Sequence, residues 1–106
     1  MATMDLDWIL DRVRAQHYRY SRHGDRERQN DGLTLLEVEQ AMLSGRILEH
    51  YPDTGRGESC LVAGFADNGK PVHIVCGSQG DWMVVVTVYI PTPPKFLTPF
   101  ERGGDR

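Results

Sequence analysis

Ser59-Cys60-Leu61-Val62-Ala63-Gly64-Phe65-Ala66-Asp67-Asn68-Gly69-Lys70-Pro71-Val72-His73-Ile74-Val75-Cys76-Gly77 is the stretch that decides the fold. Two runs of apolar and β-branched residues flank Asn68-Gly69, the dipeptide that best tolerates the positive-φ positions of a tight hairpin turn. The pattern predicts strands over 59–66 and 71–77. With a two-residue turn, Asp67 pairs with Lys70 and Gly64 lies opposite His73. One face then carries Leu61, Ala63 and Phe65 with Val72, Ile74 and Cys76, and the other carries Cys60, Val62 and Gly64 with His73, Val75 and Gly77. The first set is the more apolar and is expected to meet helices. His73 is therefore expected on an open face, within reach of a ligand. The same register puts the two cysteines on opposite faces, which argues against a disulfide.

Beyond the hairpin, Trp82 to Ile90 alternates, and Thr87 and Tyr89 are the hydroxyl-bearing residues of its outward set. For them to share the face of His73, the loop before this strand is expected to hold an odd number of residues. The segment from Pro91 to Arg106 carries four of the six prolines. It reads as an irregular tail over 92–106, clipped to a single domain at 5–91 by Phe96, Leu97 and Phe100.

Toward the N-terminus, Ile47 to Tyr51 reads as a first strand. Before it, Leu35 to Ser44 reads as a helix: Thr34 and Glu37 have capping-box spacing, Leu35, Val38, Ala41 and Met42 form one stripe, and Gly45 suits a left-handed C-terminal position. Leu6, Ile9, Leu10 and Val13 predict an earlier helix from Asp5 to about Tyr18, capped by Asp5. Ser21 to Gly32 is almost wholly polar and reads as a connector or a short exposed turn of helix. The expected fold is α+β, with two N-terminal helices packed on one face of a four-stranded antiparallel sheet.

The chain has 106 residues, 40% of them apolar, and a net charge of −3. That suffices for one modest core and argues against coating nucleic acid by overall charge. The longest apolar run, Met83 to Ile90, is too short to span a bilayer. An N-terminus without a basic start or an apolar signal core points to the cytoplasm, and two cysteines form no disulfide framework.

Charge is nonetheless unevenly placed. Arg12, Arg14, Arg19, Arg22, Arg26 and Arg28 fall in a segment whose only acids are Asp25 and Glu27, six cations against two anions, or +4. His17, Tyr18, Tyr20 and His23 are interleaved with them. Guanidinium binds phosphate bidentately and aromatic faces stack on bases, so the strip suits RNA; a solvated helix face with paired charges is the bland alternative. His23 and His73 could divide general acid and base roles in RNA cleavage by the ribose 2′-hydroxyl, with Arg22, Arg26 and Arg28 for phosphate and Thr87 and Tyr89 for positioning. Each taken singly has an ordinary structural reading. His17 and His50 read as surface residues, and Cys60 and Cys76 as small buried hydrophobes. Asp5, Asp7 and Asp11 suit the positive end of the first helix, no zinc spacing occurs, and neither a metal nor a cofactor is expected.

The succession Ser21-x-His23-x-x-Arg26-x-Arg28, Leu35 to Met42 ending in Ser44-Gly45, Ile47-Leu48-Glu49-His50-Tyr51-Pro52-Asp53, Pro71-x-His73-x-Val75 and Thr87-x-Tyr89-x-Pro91 resembles the domain-of-unknown-function family DUF4258 of bacteria and archaea. The resemblance runs from about residue 6 to 91. It implies a fold similar to that of the RelE, barnase and EndoU-like ribonuclease toxins, with His23, His73, Thr87 and Tyr89 as the matching polar positions. On that reading the protein is a metal-independent endoribonuclease, the toxin of a toxin–antitoxin pair, with RNA as substrate and a cognate antitoxin as partner. Two other readings stand beside it: a non-catalytic module binding RNA or protein on the same fold, and a homodimer that covers Val62, Val75, Met83 and Val85.

Overall fold

The computed structural model describes residues 4–53, 55 and 57–92, and the backbone of 96–98 and 101–102. Among the described residues the main sheet has five strands in the order β1-β5-β4-β3-β2, with β1(Tyr18–Tyr20), β2(Arg46–Tyr51), β3(Ser59–Phe65), β4(Pro71–Gln79) and β5(Trp82–Tyr89). β1 runs parallel to β5 and every other neighbouring pair is antiparallel. There are three helices, α1(Leu6–Arg14), α2(Arg22–Asn30) and α3(Leu35–Ser44). The expected four-stranded antiparallel sheet with two helices is thus corrected to a mixed five-stranded sheet with three. None of these helices is long and apolar enough to cross a membrane.

The two missed elements share a cause. α2 has almost no apolar residue, so its period leaves no hydrophobic trace, and it is held by its ends instead. Ser21 Oγ accepts from Gly24 N at 2.9 Å and donates to Val86 O at 3.0 Å, while Ser21 N donates to Val85 O at 2.9 Å. A side chain at Gly24 would stand 2.5 Å from Val85 O, so the helix lies directly on the β5 edge. At its far end Asp31 Oδ2 accepts from Ile90 N at 2.8 Å. β1 is three residues long and becomes a strand only because β5 offers an unpaired edge. It starts where it does because α1 stops early, in a reversed last turn with Gln16 at φ 58 and His17 N bonded to Arg12 O at 2.8 Å.

α3 follows its capping box as read, with Glu37 N on Thr34 Oγ1 at 3.0 Å and Thr34 N on Glu37 Oε1 at 2.8 Å. Its end differs. Gly45 is extended at φ −88, not left-handed, and is small because a Cβ there would lie 2.7 Å from both Ala41 O and Val62 Cγ1. Gly64 beneath it is tighter still, at 2.0 Å from Ala41 O. Two glycines thus let helix backbone sit on strand backbone.

The β3–β4 turn is where the register departs from expectation. Gly69 takes φ 92 but Asn68 does not take positive φ, which a two-residue turn of the mirror type would require. Gly69 N instead bonds Ala66 O and Ala66 N bonds Lys70 O, both at 2.9 Å, closing a three-residue loop with the glycine at the bulge. His73 therefore pairs with Ala63 rather than Gly64. The slip turns β3 over: Cys60 and Val62 face the helices with Val72, Ile74 and Cys76, and Leu61 and Ala63 share the other face with His73 and Val75. Cys60 and Cys76 stand directly opposite each other on the helix side, as free, buried thiols.

The next turn corrects a second expectation. Gln79 pairs with Trp82 across Gly80 and Asp81, so the loop is even. Val86 restores the parity as a bulge between the pairs Cys76 with Val85 and Val75 with Thr87. Beyond residue 92 the backbone forms a small hairpin, β6(Phe96–Thr98) and β7(Glu101–Arg102). The expected side-chain clip by Phe96, Leu97 and Phe100 lies outside the described residues.

Candidate functional site

α1 and α3 cover one face of the sheet, with Ile9, Val13, Val38, Ala41 and Met42 packed on Val62, Ile74, Cys76, Met83, Val85 and Val88. Among the described residues the other face carries no helix, and the strand registers arrange its side chains in rows. The first row is Arg46, Ala63, His73, Tyr89; the second is Glu49, Leu61, Val75, Thr87; the third is Tyr51, Ser59, Gly77, Val84 and Arg19. His73, Thr87 and Tyr89 therefore share one face, the arrangement expected from an odd loop but produced by the Val86 bulge. His73 Nδ1 and the Tyr89 hydroxyl are hydrogen-bonded at 3.3 Å, with ring centroids 5.3 Å apart. On β2, the Tyr51 hydroxyl donates to Glu49 Oε1 at 2.5 Å.

The two ends of this face differ in access. Leu61, Ala63 and His73 are 0% exposed, so the imidazole lies away from the helices but is closed off from solvent. The expectation that its ring is open to a ligand is corrected accordingly, whereas Thr87 and Tyr89 are half-buried. At the third row the face opens into a cleft of about 490 Å³ between Tyr51, Ser59, Gly77, Gln79, Val84 and Val86. Beside it, His50 Nε2 lies 2.7 Å from Glu58 Oε2.

His23 takes no part in this cluster. It is exposed in the first turn of α2, outside the β5 edge near Val86, whereas His73 faces Tyr89, three residues or about 10 Å further along the strand. The arginine strip divides. Arg28 is tied into the fold, with bonds to Asp25 Oδ1 at 2.9 and 3.1 Å and to Leu33 O at 2.8 Å. Arg12 bridges Asp11 at 2.6 Å and Asp81 at 2.8 Å, stacking on Trp8. Arg22 and Arg26 are exposed on α2. Arg19 turns to the helix-free face, bonded to Gln79 Oε1 with its guanidinium 6.0 Å from the Trp82 ring centroid. His17 packs edge-on against the same Trp82, at 4.2 Å between centroids.

Sequence reading missed Glu49, Tyr51 and Arg46 as site residues and placed Arg19 only in the arginine strip. β4 and β5 contain no lysine or arginine, and the face draws its cations from the strands flanking it. The alternation Tyr18-Arg19-Tyr20 was the available signal for Arg19; for Arg46 the bulge after Ile47 hides the parity. Burial pushes the Cys60 thiol up to about 11 and the Cys76 thiol higher, so neither is a ready nucleophile at neutral pH. Among the described residues no three His, Cys, Asp or Glu side chains converge as a metal site.

Neither curated proteins nor solved structures include a match to this chain. A family profile does match, over residues 20–90, from the end of β1 through β5 and so across the helix-free face except Arg19. The chain is accordingly a member of the domain of unknown function family DUF4258.

Proposed function

We propose that the protein is a metal-independent endoribonuclease of the toxin kind, similar to the RelE and EndoU-like enzymes, working through the helix-free face of its sheet. One observation supports this reading above others. Glu49, Tyr51, His73, Thr87 and Tyr89, the polar residues of three separate motifs, share that one face, and four of them form two hydrogen-bonded pairs.

Cleavage by the neighbouring 2′-hydroxyl needs three things: a base for its proton, an acid for the departing 5′-oxygen, and positive charge for the phosphorane oxygens. As the 2′-O–P bond forms and the P–O5′ bond breaks, the products are a 2′,3′-cyclic phosphate and a 5′-hydroxyl. In this reading the Glu49 carboxylate accepts the 2′-proton and the Tyr89 phenol protonates the leaving oxygen. His73, buried beneath Tyr89, is a positioning residue for that phenol. This replaces the role of exchanging protons with substrate first considered for it and for His23. Thr87, two residues from Tyr89 on the same strand and face, would hydrogen-bond the phosphate, with Arg46, in the row of Tyr89, supplying charge. Arg22 and Arg26 would hold the RNA strand outside the β5 edge.

The decisive experiment is inducible expression of the wild type, Tyr89→Phe and His73→Gln in a bacterial host, with purified proteins then tested on RNA. Wild type should arrest growth and leave fragments ending in cyclic phosphate. Tyr89→Phe should cleave about 100-fold more slowly while melting within a few degrees of wild type. Intact RNA under wild-type expression would end the nuclease reading. The complete burial of His73 favours a second one, a binding module on the same fold, for which RNA is retained on the face but never cut. An antitoxin and a homodimer are further proposals, the homodimer through a surface other than the expected Val62, Met83 and Val85, which are buried under α1 and α3. Co-purification with the product of an adjacent gene would support the first, and a doubled mass in sedimentation the second.

A further inference from the structure

Gly77 occupies the centre of the third row, where every neighbouring strand presents a side chain. Across the sheet the row reads Tyr51, Ser59, Gly77, Val84, Arg19. Among the described residues a Cβ on Gly77 would meet Val86 Cγ2 alone, at 3.2 Å, so the missing side chain leaves a flat depression floored by strand backbone. The bulge that restores the register of Thr87 also raises Val86 at one side of it, and Tyr51 stands at the other. The cavity of about 490 Å³ therefore has a floor of strand backbone and valine side chains, an aromatic wall, a hydroxyl from Ser59 and the Glu58 carboxylate, which lies 2.7 Å from His50 Nε2. Arg19 lies one strand beyond Val84 on the same face and is exposed. Gln79 lines the cleft and holds the arginine there.

We propose that this cleft is a nucleobase subsite: one base of a single-stranded RNA lies over Gly77 against the Tyr51 ring, and Arg19 takes the adjoining phosphate. A planar base with a polar edge suits a flat floor of backbone and valine side chains that carries a hydroxyl, an amide and a carboxylate at its margin. An aromatic wall adds a stacking surface indifferent to sequence. The guanidinium at the margin complements the backbone charge that any nucleotide brings with it. This assignment rests on the RNA reading above and deepens it. It places base binding one row, about one nucleotide's width, from Glu49 and Thr87, and two rows from Tyr89.

The test uses the full chain and the four nucleoside 5′-monophosphates at up to about 10 mM, followed by amide chemical shifts, with ribose 5-phosphate as the control lacking a base. The nucleotides should shift Ser59, Gly77 and Val84, and ribose 5-phosphate should bind at least about tenfold more weakly, the loss expected when a stacked base is removed. Gly77→Val should abolish the shifts. Arg19→Ala, on an exposed side chain that tests the site without touching its floor, should weaken binding several-fold. Equal binding of ribose 5-phosphate, or no shift at Gly77 with any nucleotide, would overturn the assignment. The two proposals fail separately. A Tyr89→Phe protein that binds nucleotides, while wild type leaves RNA intact, removes the nuclease and keeps the subsite. RNA cleavage unchanged by Gly77→Val removes the subsite and keeps the nuclease.

Discussion

Gly64 and Gly77 sit in paired strands on opposite faces of the sheet, and they do opposite work. On the helix side, a side chain at Gly64 would fall 2.0 Å from Ala41 O and 3.0 Å from Gly45 Cα, so its absence lets a helix close onto a strand. On the other side, a side chain at Gly77 would meet one methyl at 3.2 Å, and its absence leaves a cleft. The same residue serves packing where backbone fills the vacated volume and leaves a cleft where, among the described residues, only the Val86 methyl comes near. The helix-free face repeats this contrast along its length, with the row of His73 closed and the row of Gly77 open.

The comparison is broken most sharply by Gly64→Ala. Its Cβ must displace α3, and the loss of stability should be about 3 kcal/mol, read from urea unfolding. A loss under about 1 kcal/mol would show that α3 does not rest on β3 as described. His73→Ala tests the closed row. Removing a ring that is 0% exposed should cost about 2 kcal/mol, whereas an imidazole open to solvent would cost about 0.5 or less. Gly77→Ala should change stability by no more than about 0.5 kcal/mol, since only the Val86 methyl has to yield and alanine gains what strand glycine loses.

The last test concerns the latch between α3 and the hairpin tip. Glu37 lies in the capping box and also accepts from Asn68 Nδ2 at 2.6 Å and Lys70 Nζ at 3.1 Å. The Thr34 backbone bond first, then Asn68 and Lys70, hold its carboxyl down at about 2, against an ordinary value of 4.5. A depressed carboxylate contributes stability above its unfolded value and loses that contribution as pH falls through the folded one. The melting temperature of wild type should therefore fall toward that of Glu37→Gln between about pH 4.5 and 2. Curves that stay parallel across that window would place the latch elsewhere.

Several features were legible from residue order because their causes are local. The α3 capping box needs only Thr34 and Glu37 three positions apart, and the N-cap at Asp5 accepts from Trp8 N at 2.9 Å. Strand positions followed from alternation, and His73 does face away from the helices. The site was partly legible for the same reason: Thr87 and Tyr89 read correctly as an outward pair, whereas Glu49 and Tyr51 stood in a quoted stretch without being singled out.

Sequence alone determined where β2 to β5 and the capped helices α1 and α3 form, because propensity and capping act over three or four neighbours. Only tertiary structure decided which face each strand presents and whether a side chain is covered. A single residue more in the 67–69 turn reverses β3, and the bulge at Val86 cancels an even loop, so parity is settled by hydrogen bonds that the turn and the neighbouring strand form together. α2 and β1 have too little apolar pattern to announce themselves, and both exist because the β5 edge offers carbonyls and amides to pair with. The burial of His73 and the opening at Gly77 belong to this second kind: each depends on what lies above the sheet, a distance no periodicity encodes.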